Sequence, residues 1–284
     1  MAYTNIDDPS AYFQTALYTG NGNTQSITND GNSDLQPDWV WIKQRSGTRG
    51  HGVYDSSRGV QKRLATESSA VEATSTVQLS AFNADGFEIG SGNVCNENAQ
   101  TYAAWQWKAN GGTTSSNTDG NITSTVQSNQ DAGFSIVTYT GNGSNNQTIG
   151  HGLGVQPSWW IVKRRDSADG WWFGASSILG GTSNYLKLNS TAANAEINNI
   201  WGDSPTSSTL FRVSNNAGLN ASSGTYVAYL FASKQGYSKF GKYVGNGNDN
   251  GPFVYTGFKP AFVMLKRTNT TSNWIIMDSK RNTF

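Results

Sequence analysis

Of 284 residues, one is cysteine, two are histidine, three methionine and six proline, and charged side chains make up only 14%. Each scarcity excludes something. A lone Cys95 rules out an intrachain disulfide framework and a thiolate metal site, and leaves a small core residue as its expected role. His51 and His151 fall at unrelated places in the chain, so they suggest neither a metal pair nor a repeated acid–base site. A net charge of +1 gives no attraction for a phosphate backbone, so nucleic acid is not an expected partner. No apolar run approaches the roughly 20 residues of a membrane-spanning helix. The opening MAYTNIDDPSAYFQ lacks the basic region and apolar core of a signal peptide. The expectation is a soluble protein made in the cytosol, without membrane insertion.

What the chain has in quantity is glycine, 32 residues, with abundant Asn, Ser and Thr and a 12% aromatic share that includes ten tryptophans. That mixture disfavours helices and suits many short strands joined by turns. A tandem repeat organises it. The stretch YTGNGSNNQTIGHGLGVQPSWWIVKRR, Tyr139 to Arg165, has counterparts from Tyr18 to Arg45 and from Tyr243 to Arg267. The first Tyr precedes the repeat's Pro (Pro37, Pro157, Pro260) by 19, 18 and 17 residues, and Asp55, Ala175 and Asp278 follow that Pro by 18 each time. After the Pro come WVWIK, WWIVK and FVMLK. Such runs are too short for a helix and too apolar for a one-sided strand, so they predict central strands buried on both faces. GNG after each Tyr supplies a turn tolerant of positive φ. The segments Thr101–Ala104 and Thr225–Ala228 match as the closing strand of the unit, with Asn96 and Asn220 each six residues before its Tyr.

The predicted fold class is all-β: tandem β-sandwich, jelly-roll-like repeats of about 105–120 residues. The boundaries read as an N-terminal arm over 1–11, repeat 1 over 12–112, a linker over 113–132, repeat 2 over 133–239 and an incomplete repeat 3 over 240–284. Repeats 2 and 3 run together without a linker and are expected to be rigidly coupled, repeats 1 and 2 less so. A closing strand for repeat 3 is expected 65–69 residues past Pro260, so the native chain is expected to continue, or repeat 3 to complete its sheet against a neighbour.

Few residues suggest chemistry. No phosphate-binding glycine loop, nucleophile elbow or two-histidine zinc pattern appears. Neither a catalytic residue nor a cofactor or metal site is assigned. The loops at 83–86 and 245–252 carry oxygen ligands suited to calcium but no strict spacing. If the strands after each Pro form hairpins, Lys43 could face Asp55 and Lys266 could face Asp278, most simply as rim ion pairs. Acidic residues in repeat 2, namely Asp166, Asp169, Glu196 and Asp203, do not recur in repeat 1. Six Asn-x-Ser/Thr sequons follow from composition alone. The aromatics of repeat 2 are the main candidates. Trp159, Trp160, Trp171, Trp172, Tyr185 and Trp201 either stack on glycans or a partner surface, or fill a core between repeats or between chains.

YTGNG, the segment at 151–157, IVKRRDS, YVAYLFA, GYSKFGKYVGNG and GPFVYTGFKPAFVMLKR together resemble a repeated module of large structural proteins from marine tailed bacteriophages, including those of cyanobacteria and pelagic bacteria. The resemblance spans essentially the whole chain. Where such modules often carry Cys, this chain has Leu230. It implies a virion structural protein, most simply a tail fibre or appendage that contributes to host attachment through repeated β modules. Its partners would be other virion proteins and a host surface glycan, and its assembly a homo-oligomer, by analogy a trimer. A capsid-decorating or head-fibre protein is the alternative. A polysaccharide-degrading tailspike is a further reading, and it would need paired carboxylates in a cleft. The resemblance brings no catalytic residues, so an enzyme is not expected.

Overall fold

The computed structural model describes residue 4 and residues 6–281, so parts of the expected N-terminal arm and the last three residues lie outside the described residues. Strands account for 36% of the chain and helices for 5%. Among the described residues each helix is a single turn of four residues or fewer.

Repeats 1 and 2 share one plan. In repeat 1 the main sheet runs in the order opening strand Phe13–Thr19, closing strand Thr101–Trp107, central strand Trp39–Gln44 and return strand Gly52–Asp55. In repeat 2 the same order is Phe134–Thr140, Thr225–Phe231, Trp159–Arg164 and Trp171–Gly174. The register repeats too: Trp39 lies opposite Trp107 and Trp159 opposite Phe231. Against each main sheet lies a smaller one, Gln25–Ile27, Phe87–Ile89 and Leu79–Phe82 in repeat 1, Gln147–Gly150 and Leu210–Val213 in repeat 2. Each repeat is thus a sandwich of unequal sheets. Among the described residues of repeat 3 the strands are the central strand Phe262–Lys266 and the return strand Trp274–Asp278.

Two tyrosines and an asparagine lock the end of each complete sandwich. Tyr18 stacks on Tyr102 at 5.1 Å and Tyr139 on Tyr226 at 5.0 Å. The Tyr102 hydroxyl donates to Asn93 O and accepts from Glu97 N; that of Tyr226 donates to Ala217 O and accepts from Ala221 N. Buried Asn96 and Asn220 accept through Oδ1 from Asn21 N and Asn142 N, both at 2.9 Å. They hold the GNG turns, whose Gly22 and Gly143 sit at φ 70° and 73°, where a Cβ would be strained.

The alternation within the central strand decides the larger architecture. Val40 and Ile42, like Trp160 and Val162, point into their own sandwich cores. Trp39, Trp41, Trp159 and Ile161 point the other way, into a core shared by all three repeats, against which Phe262, Met264, Trp274 and Ile276 also pack. The contacts follow a cyclic order. Trp39 of repeat 1 meets Tyr229, Phe231 and Phe134 of repeat 2 at 4.6, 5.9 and 5.8 Å. Phe262 of repeat 3, the residue equivalent to Trp39, meets the equivalent residues of repeat 1, Trp105, Trp107 and Phe13, at 6.0, 5.4 and 5.6 Å. Repeat 2 therefore packs on repeat 1 as repeat 1 packs on repeat 3. The three repeats form a pseudo-threefold ring within one chain.

The stretch expected to be a linker is part of this body. Ser115–Asn117 and Ser124–Asn129 are strands that extend the repeat 2 sheet beyond its opening strand, with Ser124 opposite Tyr139 and Asn129 opposite Phe134. Ile122 and Val126 are buried, and Gln127 donates to Ser56 and Ser57 of repeat 1. Sparse apolar residues suffice here because an edge strand needs few side chains once its backbone is paired. Repeats 1 and 2 are accordingly joined through paired backbone and buried contacts. Limited proteolysis of the native chain should spare 113–132 and cut first within 240–257, which lies outside the strands and is mostly exposed; early cleavage in 113–132 would overturn this description.

Candidate functional site

The aromatics singled out in repeat 2 are packing residues. Trp160 and Trp201 meet edge to face at 5.3 Å inside the repeat's own core, where Trp172 also lies. Trp159 and Trp171 belong to the shared core. All five tryptophans are at most 9% exposed. Tyr185 is half-buried against Trp172 at 4.9 Å, beneath which ring face Lys187 Nζ sits 4.1 Å from the centroid. None of the five tryptophans is presented as a platform for a sugar. The inter-repeat core is what they build, and the reason is the second apolar face of the central strand.

The most elaborate polar arrangement lies at the junction of repeats 1 and 2. The Tyr229 hydroxyl donates to Asp55 Oδ2 at 2.6 Å, and Arg58 Nε donates to the same oxygen. Arg58 Nη1 then reaches Glu72 at 2.9 Å, and Glu72 is gripped by Arg165 of repeat 2 at 2.9 and 3.0 Å. The side chains of Arg58 and Asp55 are wholly buried. Burial opposes the Arg58 charge, yet Asp55, Tyr229 and Glu72 leave its pKa above the ordinary value. Burial pushes the Glu72 carboxyl up, but Arg165 and Arg58 more than reverse it. Burial also holds the Tyr229 hydroxyl well above the usual range, so it stays a donor.

The same chemistry recurs around the ring. Trp105 Nε1 of repeat 1 donates to Asp278 of repeat 3 at 3.0 Å, and Arg281 pairs with Asp278 as Arg58 does with Asp55. The Arg281 guanidinium also lies 5.0 Å from the Trp105 ring centroid. In repeat 2 both members of the pair are replaced: Ala175 and Ile178 stand at the positions of Asp55 and Arg58, and both join the shared core. Other junction contacts repeat atom for atom. Trp171 Nε1 donates to Ala65 O, and Trp274 Nε1 to Lys187 O. Lys163 Nζ donates to Ser69 O, and Lys266 Nζ to Thr191 O. Glu72 N donates to Arg165 O, and Asn194 N to Thr268 O.

The hairpins expected after each Pro are present, but their register places Asp55 opposite Trp39 and Asp278 opposite Phe262, so neither Asp faces the Lys. Lys43 instead donates to Gln44 O and Arg49 O. Lys163 is fully buried on three carbonyls, and burial draws its pKa down to about 8. Cys95 is buried, which pushes its thiol up to about 12 and makes it an inert core residue. Burial lowers both histidines to about 4. His51 accepts from Trp41 Nε1 at 2.7 Å; His151 accepts from Leu153 N through Nδ1 and faces Ser207 O through Nε2.

The acidic residues of repeat 2 are engaged separately. Asp166 pairs with Arg164, Asp169 accepts from Trp172 Nε1, Glu196 accepts from Asn184, and Asp203 accepts from Ser204 Oγ while its backbone N–H donates to Asn146 Oδ1. Among the described residues no group of three His, Cys, Asp or Glu side chains is arranged to hold a metal ion, and no helix is long and apolar enough to cross a membrane. An open groove of about 460 Å³ is lined by Gln44, Gly47, Thr48, Arg49, Glu97 and Gln100, all polar or small. Its Arg49–Glu97 pair is a partly exposed surface bridge.

Fold and junction together define a tandem β-sandwich protein whose repeats close around a common core. The chain belongs to the DUF7483 family, a domain of unknown function, whose family model matches residues 8–284. No curated protein and no solved structure matches it.

The Ala175–Ile178 pair supplies a control for the buried ions. Arg58→Met should cost about 3–5 kcal/mol in urea unfolding, because Asp55 is left buried and uncompensated. Asp55→Ala with Arg58→Ile and Tyr229→Phe, which installs the apolar alternative, should recover most of that loss. A triple variant no more stable than Arg58→Met would show that the ions themselves hold the junction.

His151 gives a pH dependence. Its folded pKa is about 4, against an ordinary 6.5, so the unfolded chain binds more protons between those values. The stabilisation is complete above pH 6.5 and is lost as pH falls toward 4. Protonating Nδ1 also destroys the acceptor used by Leu153 N. His151→Gln should flatten the decline of the urea midpoint between pH 6.5 and 4; an unchanged slope would assign the decline to other groups.

Proposed function

We propose that the chain is a virion structural protein, a tail fibre or related appendage whose repeated modules contribute to host attachment. The observation that carries the reading is the core shared by three repeats. It makes a rigid body with a pseudo-threefold form, as a mechanical element of a particle requires, and its polar groups are committed to holding repeats together. The resemblance of the repeat to modules of marine phage structural proteins supports the same assignment. With the tryptophans buried, contact with a host surface falls to polar loops such as 21–23 and 142–145, whose asparagines are exposed. Loops of this kind act through many weak contacts presented together rather than one deep site.

Mass spectrometry of purified particles from the virus that encodes the chain should detect it, and an antibody to the 142–145 loop should slow adsorption. Particles lacking the chain would sink the reading. Particles that contain it but adsorb normally with the loop blocked would leave a structural role and remove host contact.

A further inference from the structure

The turn between the central and return strands is built differently in repeat 1. In repeat 2 an internal clip closes it: Arg164 grips Asp166 through Nε and Nη2, both at 3.1 Å, and Asp166 accepts from Thr225 N of the closing strand at 3.1 Å. In repeat 3 Arg267 folds onto Asn269 in the same way, at 3.0 Å. The equivalent residues of repeat 1 are Gln44 and Ser46. Ser46 still meets the closing strand, accepting from Thr101 N at 2.9 Å. No arginine from position 44 lies across the turn, because Gln44 is shorter and buried. The space above it is the open groove of about 460 Å³.

The walls come from residues for which repeat 2 has no long counterpart. Tyr102 and Tyr226 accept from Glu97 N and Ala221 N, so Glu97 stands where repeat 2 has alanine. Gly20 N and Gly141 N donate to Gln100 O and Gly224 O, so Gln100 stands where repeat 2 has glycine. Lys43 and Lys163 donate to Arg49 O and Asp169 O, which places Arg49 at the position of Asp169. These side chains hold one another in fixed orientations. Arg49 donates to both oxygens of Glu97, at 3.0 and 3.1 Å, and Gln44 Nε2 donates to Glu97 Oε2 at 3.1 Å. Gln44 Oε1 accepts from Arg49 N, and Ser46 Oγ donates to Gln100 Oε1 at 2.8 Å. Capacity is left over on the groove side. Arg49 Nη1, Gln100 Nε2 and Thr48 Oγ have no partner among the described residues, and the Glu97 carboxylate has unused lone pairs.

We propose that this groove binds a neutral saccharide, a pyranose that presents vicinal hydroxyl groups to Arg49, Glu97 and Gln100. The guanidinium and the carboxylate cancel, so the site selects neither a cation nor an anion. An apolar ligand would strip water from both ions and find no apolar wall to replace it. Each sugar hydroxyl is both donor and acceptor, and a vicinal pair matches donors and acceptors set side by side, with the charged partners giving the stronger bonds. Hydrogen bonds from Arg49 and Gln44 hold the Glu97 carboxyl below its ordinary value, so it remains an acceptor. The volume falls within the roughly 300–1,000 Å³ of small-ligand sites. Asn98, next to Glu97, lies against Gly22, so the groove and the exposed 21–23 turn form one surface. The assignment rests on the host-attachment reading and names the ligand class that this surface takes. A groove this open binds weakly, and many copies on one particle supply the avidity.

The test titrates the isotope-labelled 284-residue chain with the methyl pyranosides of glucose, galactose and mannose and follows side-chain resonances by NMR. At least one glycoside should shift the amide signals of Gln44 and Gln100 and the Arg49 Nε signal, saturating in the millimolar range. Methyl glucuronide and methyl glucosaminide should shift them less than their neutral parent. Gln44→Arg with Ser46→Asp and Glu97→Ala installs residues that repeat 2 already carries, so the urea midpoint should hold while binding weakens at least about tenfold. Gln100→Gly, again the repeat 2 residue, should weaken binding on its own and serves as the readout if the triple variant loses stability. Groove signals unmoved by every glycoside, shifts confined to other parts of the chain, or variants that bind as well as the native chain would overturn the proposal, as would tighter binding of a charged sugar. Because binding is read on the isolated chain, a chain that binds sugar but is absent from particles would keep the groove and sink the virion reading. A chain present in particles with an inert groove would do the reverse.

Discussion

A strand that is apolar on both faces cannot be satisfied by one sandwich. Trp39-Val40-Trp41-Ile42 and Trp159-Trp160-Ile161-Val162 each send two side chains inward and two outward. The inward pair is covered by the repeat's own small sheet. The outward pair, rich in indole rings, requires cover from elsewhere, and truncating one such ring costs about 3–5 kcal/mol where it is well packed. For Trp39 the closing and opening strands of repeat 2 provide that cover, whereas Trp159 packs on Phe231 and Phe173 of its own repeat and on Phe240. Repetition extends the order: repeat 1 covers Phe262 of repeat 3 with Phe13, Trp105 and Trp107 as repeat 2 covers Trp39.

Burial of this kind calls for partners for the polar groups carried inward; several find them, while the indole N–H groups of Trp39 and Trp159 have none among the described residues. Indole N–H groups of Trp171 and Trp274 reach backbone carbonyls of the preceding repeat. The central-strand lysines end on carbonyl clusters rather than on carboxylates. Where the aspartate at the end of the return strand is present, as Asp55 or Asp278, it takes an arginine from three residues on, and where it is replaced by Ala175 the arginine is replaced with it. That joint replacement is what the energetics demand, since half of a buried ion pair is far worse than none. The junction is thus held by packing, with hydrogen bonds and ions satisfying most of the charged and carbonyl groups it encloses.

Much of this was legible in the residues. WVWIK, WWIVK and FVMLK announced strands buried on both faces, the spacing to Pro37, Pro157 and Pro260 aligned the repeats, and the Tyr with its Asn six residues earlier marked the closing strand and its clasp. What covers an outward face is not written in the strand that has it, which is why display of Trp159 and Trp171 stood beside packing as a reading. The polar run 113–132 concealed two strands because paired backbone, rather than apolar content, makes them strands. The aspartate landmark was visible, but its meaning depended on hairpin register. Trp39 opposite Asp55 turns the carboxylate toward Arg58, and Lys43 is left four residues away. The arginine three residues past each aspartate, absent where the aspartate is absent, was open to reading.

The replacement of Asp and Arg by Ala175 and Ile178 also bears on how such a chain reaches its native arrangement. Three similar modules on one polypeptide invite docking in the wrong order or between neighbouring molecules during synthesis. A ring with identical junctions would tolerate those errors. Here a closing strand bearing Tyr229 or Trp105 that settles against repeat 2 strands its donor beside methyl groups, while an aspartate facing an apolar neighbour keeps a charge without its full set of partners. The odd junction acts as a key that tells otherwise interchangeable modules apart and makes misassembled chains prone to come undone before they persist.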